Sequence, residues 1–157
     1  YAGRRISATV AQNICYNQIE YKPGHWFNSA KFLDVEYQTY GWVFSQRHKK
    51  EEEQHFHWRH SKEKICLTVA FHKDTKEFLG INTFGIRMRH NIFDRWLTEK
   101  REVDYVMEYL KDANFDPEFY KQYEDEIVAK YNQEFGTNIK TKKKSWKRIF
   151  SQNTASI

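Results

Sequence analysis

The sequence predicts an α+β domain: an antiparallel sheet of about four or five strands followed by C-terminal helices. Three observations carry this. Apolar residues alternate with polar ones through the middle of the chain, as in "KICLTVAFH", where Ile65, Leu67, Val69 and Phe71 share one face of a strand. Short turn-forming stretches such as "KDTK" separate those runs. After Arg89 the apolar spacing changes to that of helices.

The elements follow in order. Ile6, Val10 and Ile14, with Ala11 beside them, make one face of an N-terminal helix, and "YKPG" ends it because Pro23 lacks a donor and Gly24 permits unusual backbone angles. From Leu33 a half-buried strand is expected, with Leu33, Val35 and Tyr37 pointing one way and Asp34, Glu36 and Gln38 the other. "YGWVF" continues that strand or begins the next, and "RHKKEEEQ" reads as a charged surface loop. "HFHWRH", "KICLTVAFH" and "EFLGINTFGIRM" are the following strands, the last two as a hairpin, and sequential strands with short turns predict a meander. Helical stripes then appear at Ile92, Phe93, Trp96 and Leu97, and at Val103, Val106, Met107 and Leu110. A last helix is expected from Asp116 as N-cap, with Pro117 and Glu118 in its first turn, Phe119, Tyr123, Ile127 and Tyr131 on one face, and Gly136 as its stop.

The chain has 157 residues, enough for one domain with a substantial core, and 17% of them are aromatic. The net charge of +5 owes much to "KTKKKSWKR" near the C-terminus, so it says little about the folded body. Two cysteines with no partner spacing argue against a disulfide framework and fit a reducing, cytoplasmic compartment. The chain starts at Tyr1 with residues that look mid-helix, as expected of a piece of a longer protein.

Several chemistries lack their residues. None of the six glycines falls in a G-x-G or P-loop arrangement, so any nucleotide would be held by another domain. His55 and His57 would share a strand face, joined by Glu53 if the strand begins that early, with His60 beyond. A metal could use that spacing, but the run also reads as a solvated strand end, and no metal site is assigned. Cys66 sits on a strand with Lys64 on its face and no histidine to activate it, so no catalytic residue is assigned there or to the scattered carboxylates. Basic residues outside the tail are balanced by acids, so no nucleic-acid groove is indicated. Lys140 to Arg148, with Trp146, Ile149 and Phe150, reads as a solubilising tail or as an attachment to an anionic membrane surface.

"HWFNSAKFLDVEYQTYG" is the most distinctive run. On chemistry alone Trp26 and Phe27 cap the open end of the core while Asn28 and Ser29 make a turn, or the four present an aromatic and amide surface to a planar ligand or another domain. The run resembles the segment that opens the C-terminal domain of ferredoxin-reductase-like and apoptosis-inducing-factor-like flavoproteins. Trp26, Phe27, Ser29, Asp34, Gln38 and Gly41 take the corresponding places, and "RRISATVAQNI" looks like the closing helix of their FAD-binding domain. From "RMRHNIFDRWLTEK" onward the chain is also similar to the C-terminal part of bacterial FAD/NAD(P)-dependent oxidoreductases.

The resemblance implies three parts: residues 1–20 as the closing helix of an FAD-binding domain, 21–136 as a C-terminal interface domain, and 137–157 as a basic tail. It implies a parent enzyme that binds FAD and NAD(P)H in upstream domains of the same chain, with neither cofactor bound by this piece alone. It further implies an interface with those domains or with a second copy in a homodimer. Trp26, Phe27, Asn28 and Ser29 would form the flavin-facing edge, although Asn28 stands where the family carries an aromatic residue. The alternative is a non-enzymatic α+β protein-binding module.

Overall fold

The computed structural model describes residues 2–22, 24–115 and 121–142. It shows a five-stranded antiparallel sheet with helices, an α+β architecture as expected. In chain order the elements are α1 (Ala2–Cys15), β1 (Phe27–Phe32), β2 (Val35–Gly41), β3 (Glu53–Arg59), β4 (Cys66–His72), β5 (Phe78–Phe84), α2 (His90–Thr98), α3 (Val103–Glu108), a 3-10 turn (Leu110–Ala113) and α4 (Glu124–Phe135).

The strands lie in the order β1-β2-β5-β4-β3. This corrects the expected meander: β3, β4 and β5 follow one another, but β2 pairs with β5 rather than with β3. The seam is a close one. Gly41 lies opposite Gly80, and a Cβ at Gly41 would fall 2.3 Å from the Leu79 carbonyl oxygen while one at Gly80 would fall 2.7 Å from that of Tyr40. Gly41 also has φ +68°, where L side chains are strained, so glycine at both places is what lets the two strands meet.

The first hairpin differs from the sequence reading. Phe27–Phe32 is a strand in its own right, and Leu33, expected to start one, turns the chain at φ 53° and is 91% exposed. The faces of β2 are also reversed. Gln38 and Tyr40 are buried, whereas Val35 and Tyr37 are only half-buried. The reason is two hydrogen bonds: the Met88 N–H donates to Gln38 Oε1 at 2.6 Å, and the Tyr40 hydroxyl donates to the Met88 carbonyl at 3.0 Å. A polar side chain is stable inside when it replaces a backbone partner in this way. The same burial pushes the Tyr40 hydroxyl pKa up, with Glu36 adding to it.

Helices and the 3-10 turn cover one face of the sheet. The core joins Tyr40, Phe56, Trp58, Leu67, Val69, Phe71 and Ile81 to Phe93, Trp96, Val106, Met107, Ile127 and Tyr131. Phe93, Trp96 and Leu97 of α2 and Val103, Val106 and Met107 of α3 bury the stripes expected from their spacing. The expected helix start at Asp116, Pro117 and Glu118 lies outside the described residues, but residues 121–123 are not helical, so the helix expected to carry Tyr123 on its face begins only at Glu124. α4 stops at Gly136, whose φ of 66° makes the left-handed cap. The chain after it is tied back: Asn132 accepts from and donates to Ile139, and the Lys142 N–H donates to the Glu108 carbonyl. The rest of the basic tail, from residue 143, lies outside the described residues.

Glu124 is buried, with its Oε1 accepting from the Asn114 side-chain amide and its Oε2 without a hydrogen-bond partner among the described residues. Desolvation raises its pKa above the ordinary 4.5, against the pull of its hydrogen bonds and Lys111. A carboxyl that holds its proton more tightly when folded stabilises the fold at low pH and loses that contribution as pH rises above the ordinary range. Glu124→Gln should therefore flatten the fall in stability above about pH 4.5. Urea titrations at stepped pH would show it, and an unchanged pH profile would contradict this reading.

Candidate functional site

The four residues of the distinctive run do not form one surface. They alternate along β1, so the sheet sends them to opposite sides. Phe27 turns to the helix-covered side, with ring centroids 5.0 Å from Tyr40 and 4.2 Å from His90. Ser29, paired with the buried Gln38, lies on that side at the exposed margin. Trp26 and Asn28 face the other way. Trp26 is 50% exposed and stacks on Trp42 at 5.7 Å and 15°, and Asn28 donates to the Tyr37 hydroxyl at 3.1 Å.

Trp26 and Asn28 belong to the bare face of the sheet, which carries none of the core helices. By register it also holds Tyr37 and Phe84 beside the hairpin tip of Phe32 and Leu33. Phe32 and Leu33 are largely exposed, and Phe84 is 41% exposed. Tyr37 and Phe84 lie 5.9 Å apart across the β2–β5 seam. Trp42 extends the patch, stacking in turn on Phe44 at 6.0 Å and 8°. The bare face thus presents a broad apolar area, far more than scattered surface residues require. α1 adds to it: Ile6 and Val10 are about half exposed and Ile14 is 77% exposed, so the stripe read from the sequence has no cover among the described residues.

The histidines lie farther along the same face. β3 does begin at Glu53, and Glu53, His55 and His57 share its bare side. His57 Nδ1 is 2.9 Å from the Thr68 hydroxyl, while His55 Nε2 is 3.8 Å from Glu53 Oε2, too far for a hydrogen bond. Burial holds the His55 pKa below its ordinary value, helped by Lys49 and opposed by Glu53. His60 turns away: its Nδ1 accepts the backbone N–H groups of Lys62 and Glu63. No group of three histidine, cysteine or acidic side chains among the described residues is placed to hold a metal ion.

Cys66 is half-buried at the start of β4, and burial pushes its thiol pKa up, with Arg59 across the ladder pulling weakly the other way. A thiol so placed is a poor nucleophile at neutral pH. Sequence reading overlooked the burial of Glu53, which is 3% exposed although it closes the run "KKEEE". Among the described residues no helix is long and apolar enough to cross a membrane.

No protein-family model matches the chain, and no curated protein matches it. Among solved structures it is similar to an NAD-dependent persulfide reductase from A. fulgidus, with a TM-score of 0.56 and 14% identity. The match covers 81% of this chain and 26% of that one, so this chain spans about a quarter of that protein's length. Likeness at this identity shows a shared fold.

The split of the run has a measurable consequence. Phe27→Ala should cost about 2 kcal/mol of stability, since it removes a ring packed on Tyr40 and His90. Trp26→Ala, on the exposed side, should cost less than about 1 kcal/mol. Denaturant midpoints of the two variants decide the assignment, and equal losses would contradict it.

Proposed function

We propose that this chain is the C-terminal domain of an FAD-dependent pyridine-nucleotide oxidoreductase, with its bare sheet face packed against the flavin-binding part of the same protein. The observation that carries the proposal is that face, where Trp26, Phe32, Trp42 and Phe84 are exposed beside the hairpin tip at Leu33, on a sheet whose other side packs the core. An apolar area of this kind is stabilised when another surface removes it from water, at roughly 25 cal/mol per Å². The exposed stripe of α1 fits the same reading, since a helix with one apolar face is stable mainly through what that face packs on. The shared fold with part of an NAD-dependent reductase supports it from a separate direction.

In this reading FAD and NAD(P)H are bound by the upstream domains, and the present domain contributes position. Asn28, held by Tyr37, is exposed on this face, and the stacked Trp26–Trp42 pair lies on the same face. Phe27 acts from behind as packing for β1 and does not reach the cofactor. A sheet fixes such groups more firmly than a loop would, which is what tuning a bound flavin requires. A second reading, a partner-binding α+β module without enzymatic activity, would use the same face.

The test uses the full-length protein with Trp26→Ala and Asn28→Ala. At least one variant should shift the flavin absorbance bands or change the rate of flavin reduction by NAD(P)H on the order of tenfold. Parent-like spectra and turnover in both would overturn the placement of this face at the flavin. A full-length protein that carries no flavin would favour the partner-binding module.

A further inference from the structure

A second feature of the bare face concerns the hollow beyond Phe44, with a volume of about 340 Å³, lined by Trp42, Phe44, Lys50, Glu53, His72 and Leu79 among others. Its construction follows from the strands. The ladder between β4 and β5 pairs Ala70 with Gly80 and Phe71 with Phe78, so Leu79 is left out of register and lines the hollow. The Trp42 N–H donates to the Leu79 carbonyl at 3.0 Å, which holds the segment after β2 over this edge and sets the Trp42 and Phe44 rings nearly parallel, at 8°. Glu53 and His72 face each other across the β3–β4 ladder.

Glu53 is the group that calls for a ligand. It is 3% exposed, and its Oε2 has no hydrogen-bond partner among the described residues. His55 Nε2 stands 3.8 Å away, beyond hydrogen-bond reach, and is itself without a hydrogen bond among the described residues. Burying a carboxylate oxygen without a donor is costly, and the fold keeps this one at the edge of an aromatic hollow. His72 offers little relief, since its Nδ1 already accepts from the backbone N–H groups of Asp74 and Thr75. The charged side chains lining the hollow are Lys50, Glu52 and Glu53, an excess of one negative charge.

We infer that this hollow binds a planar guanidinium group, packed against the aromatic wall of Trp42 and Phe44 and donating to the Glu53 carboxylate. Guanidinium satisfies every demand of the site at once. It is flat and weakly hydrated, so it lies on aromatic faces, and it presents several N–H donors in one plane to a carboxylate. Its single positive charge matches the excess of the lining. A lysine ammonium already lies over one of these rings, with Lys50 Nζ 5.9 Å from the Phe44 centroid, which shows that the wall accepts a cation. A small guanidino compound and an arginine side chain of a protein segment both carry this group, and the chemistry of the hollow is the same for both. The inference does not rest on the flavin reading.

The test is a titration of the full chain followed through the Trp42 indole N–H resonance, assigned with Trp42→Phe. The probes are n-butylguanidine, the peptide acetyl-Gly-Arg-Gly-amide, and n-butylamine as a cation of the same charge without a plane. A saturable shift with n-butylguanidine or the peptide is expected, at least about fivefold weaker with n-butylamine. Tighter binding of the peptide identifies a protein source, and tighter binding of n-butylguanidine a small molecule. Glu53→Gln should weaken binding about tenfold or more, with no loss of Tm because no hydrogen bond to its Oε2 is removed. Phe44→Leu, which removes part of the stacking wall, should weaken binding too and serves as the second variant if Glu53→Gln unfolds. No saturable shift with either guanidinium probe, equal binding of n-butylamine, or parent-like binding by the folded variants would overturn the inference.

Discussion

Two side chains of β2 hold Met88 by its backbone, and the rest of the structure depends on that grip. Gln38 takes its N–H and Tyr40 its carbonyl, at 2.6 and 3.0 Å. Met88 is the point where the chain leaves β5 and heads for α2, and it also bridges to Asn114 at the end of the 3-10 turn. Fixing it sets the helices on the side of the sheet where Gln38 and Tyr40 point. Every strand then has its inner face decided by register, and the other face of the sheet carries none of the core helices among the described residues.

The consequences run outward from that choice. Phe27 joins the covered side through Tyr40 and His90, while its neighbour Trp26 is sent to the bare side. The aromatic residues on the bare side are not absorbed into the core, because none of the core helices among the described residues lies on that side. They order one another instead, in the run Trp26–Trp42–Phe44. That order is what a surface needs if it is to meet a flat partner without paying a large entropy cost on binding. The hollow at Glu53 lies at the far end of the same run, so one arrangement of strands produces both surfaces.

Much of the fold was legible in the sequence. β4 was plain because Leu67, Val69 and Phe71 alternate without interruption, and α2 and α3 because their apolar stripes are buried as spaced. β1 was missed because "FNSAKF" does not alternate and the turn after it uses Leu33 at positive φ, where glycine or asparagine is the usual signal. The faces of β2 were reversed because its buried residues are a glutamine and a tyrosine, whose burial depends on a backbone segment fifty residues away and on nothing local. The pairing of β2 with β5 rests on the glycine contact between them, which spacing does not reveal. The division of Trp26, Phe27, Asn28 and Ser29 between two faces was not legible either, since it follows from β1 being a strand. Glu53 was hidden in an acidic run that looks like solvent-facing surface.

Coverage of the bare face in the whole protein can be read by hydroxyl-radical footprinting, comparing the oxidation rates of Trp26, Phe32 and Phe84 in the full-length protein with those in this chain alone. Protection of all three in the full-length protein, with Trp96 inert in both because it is buried in the core, is the predicted result. Equal rates in the two would contradict the account, since the face would then be open to solvent in the intact molecule.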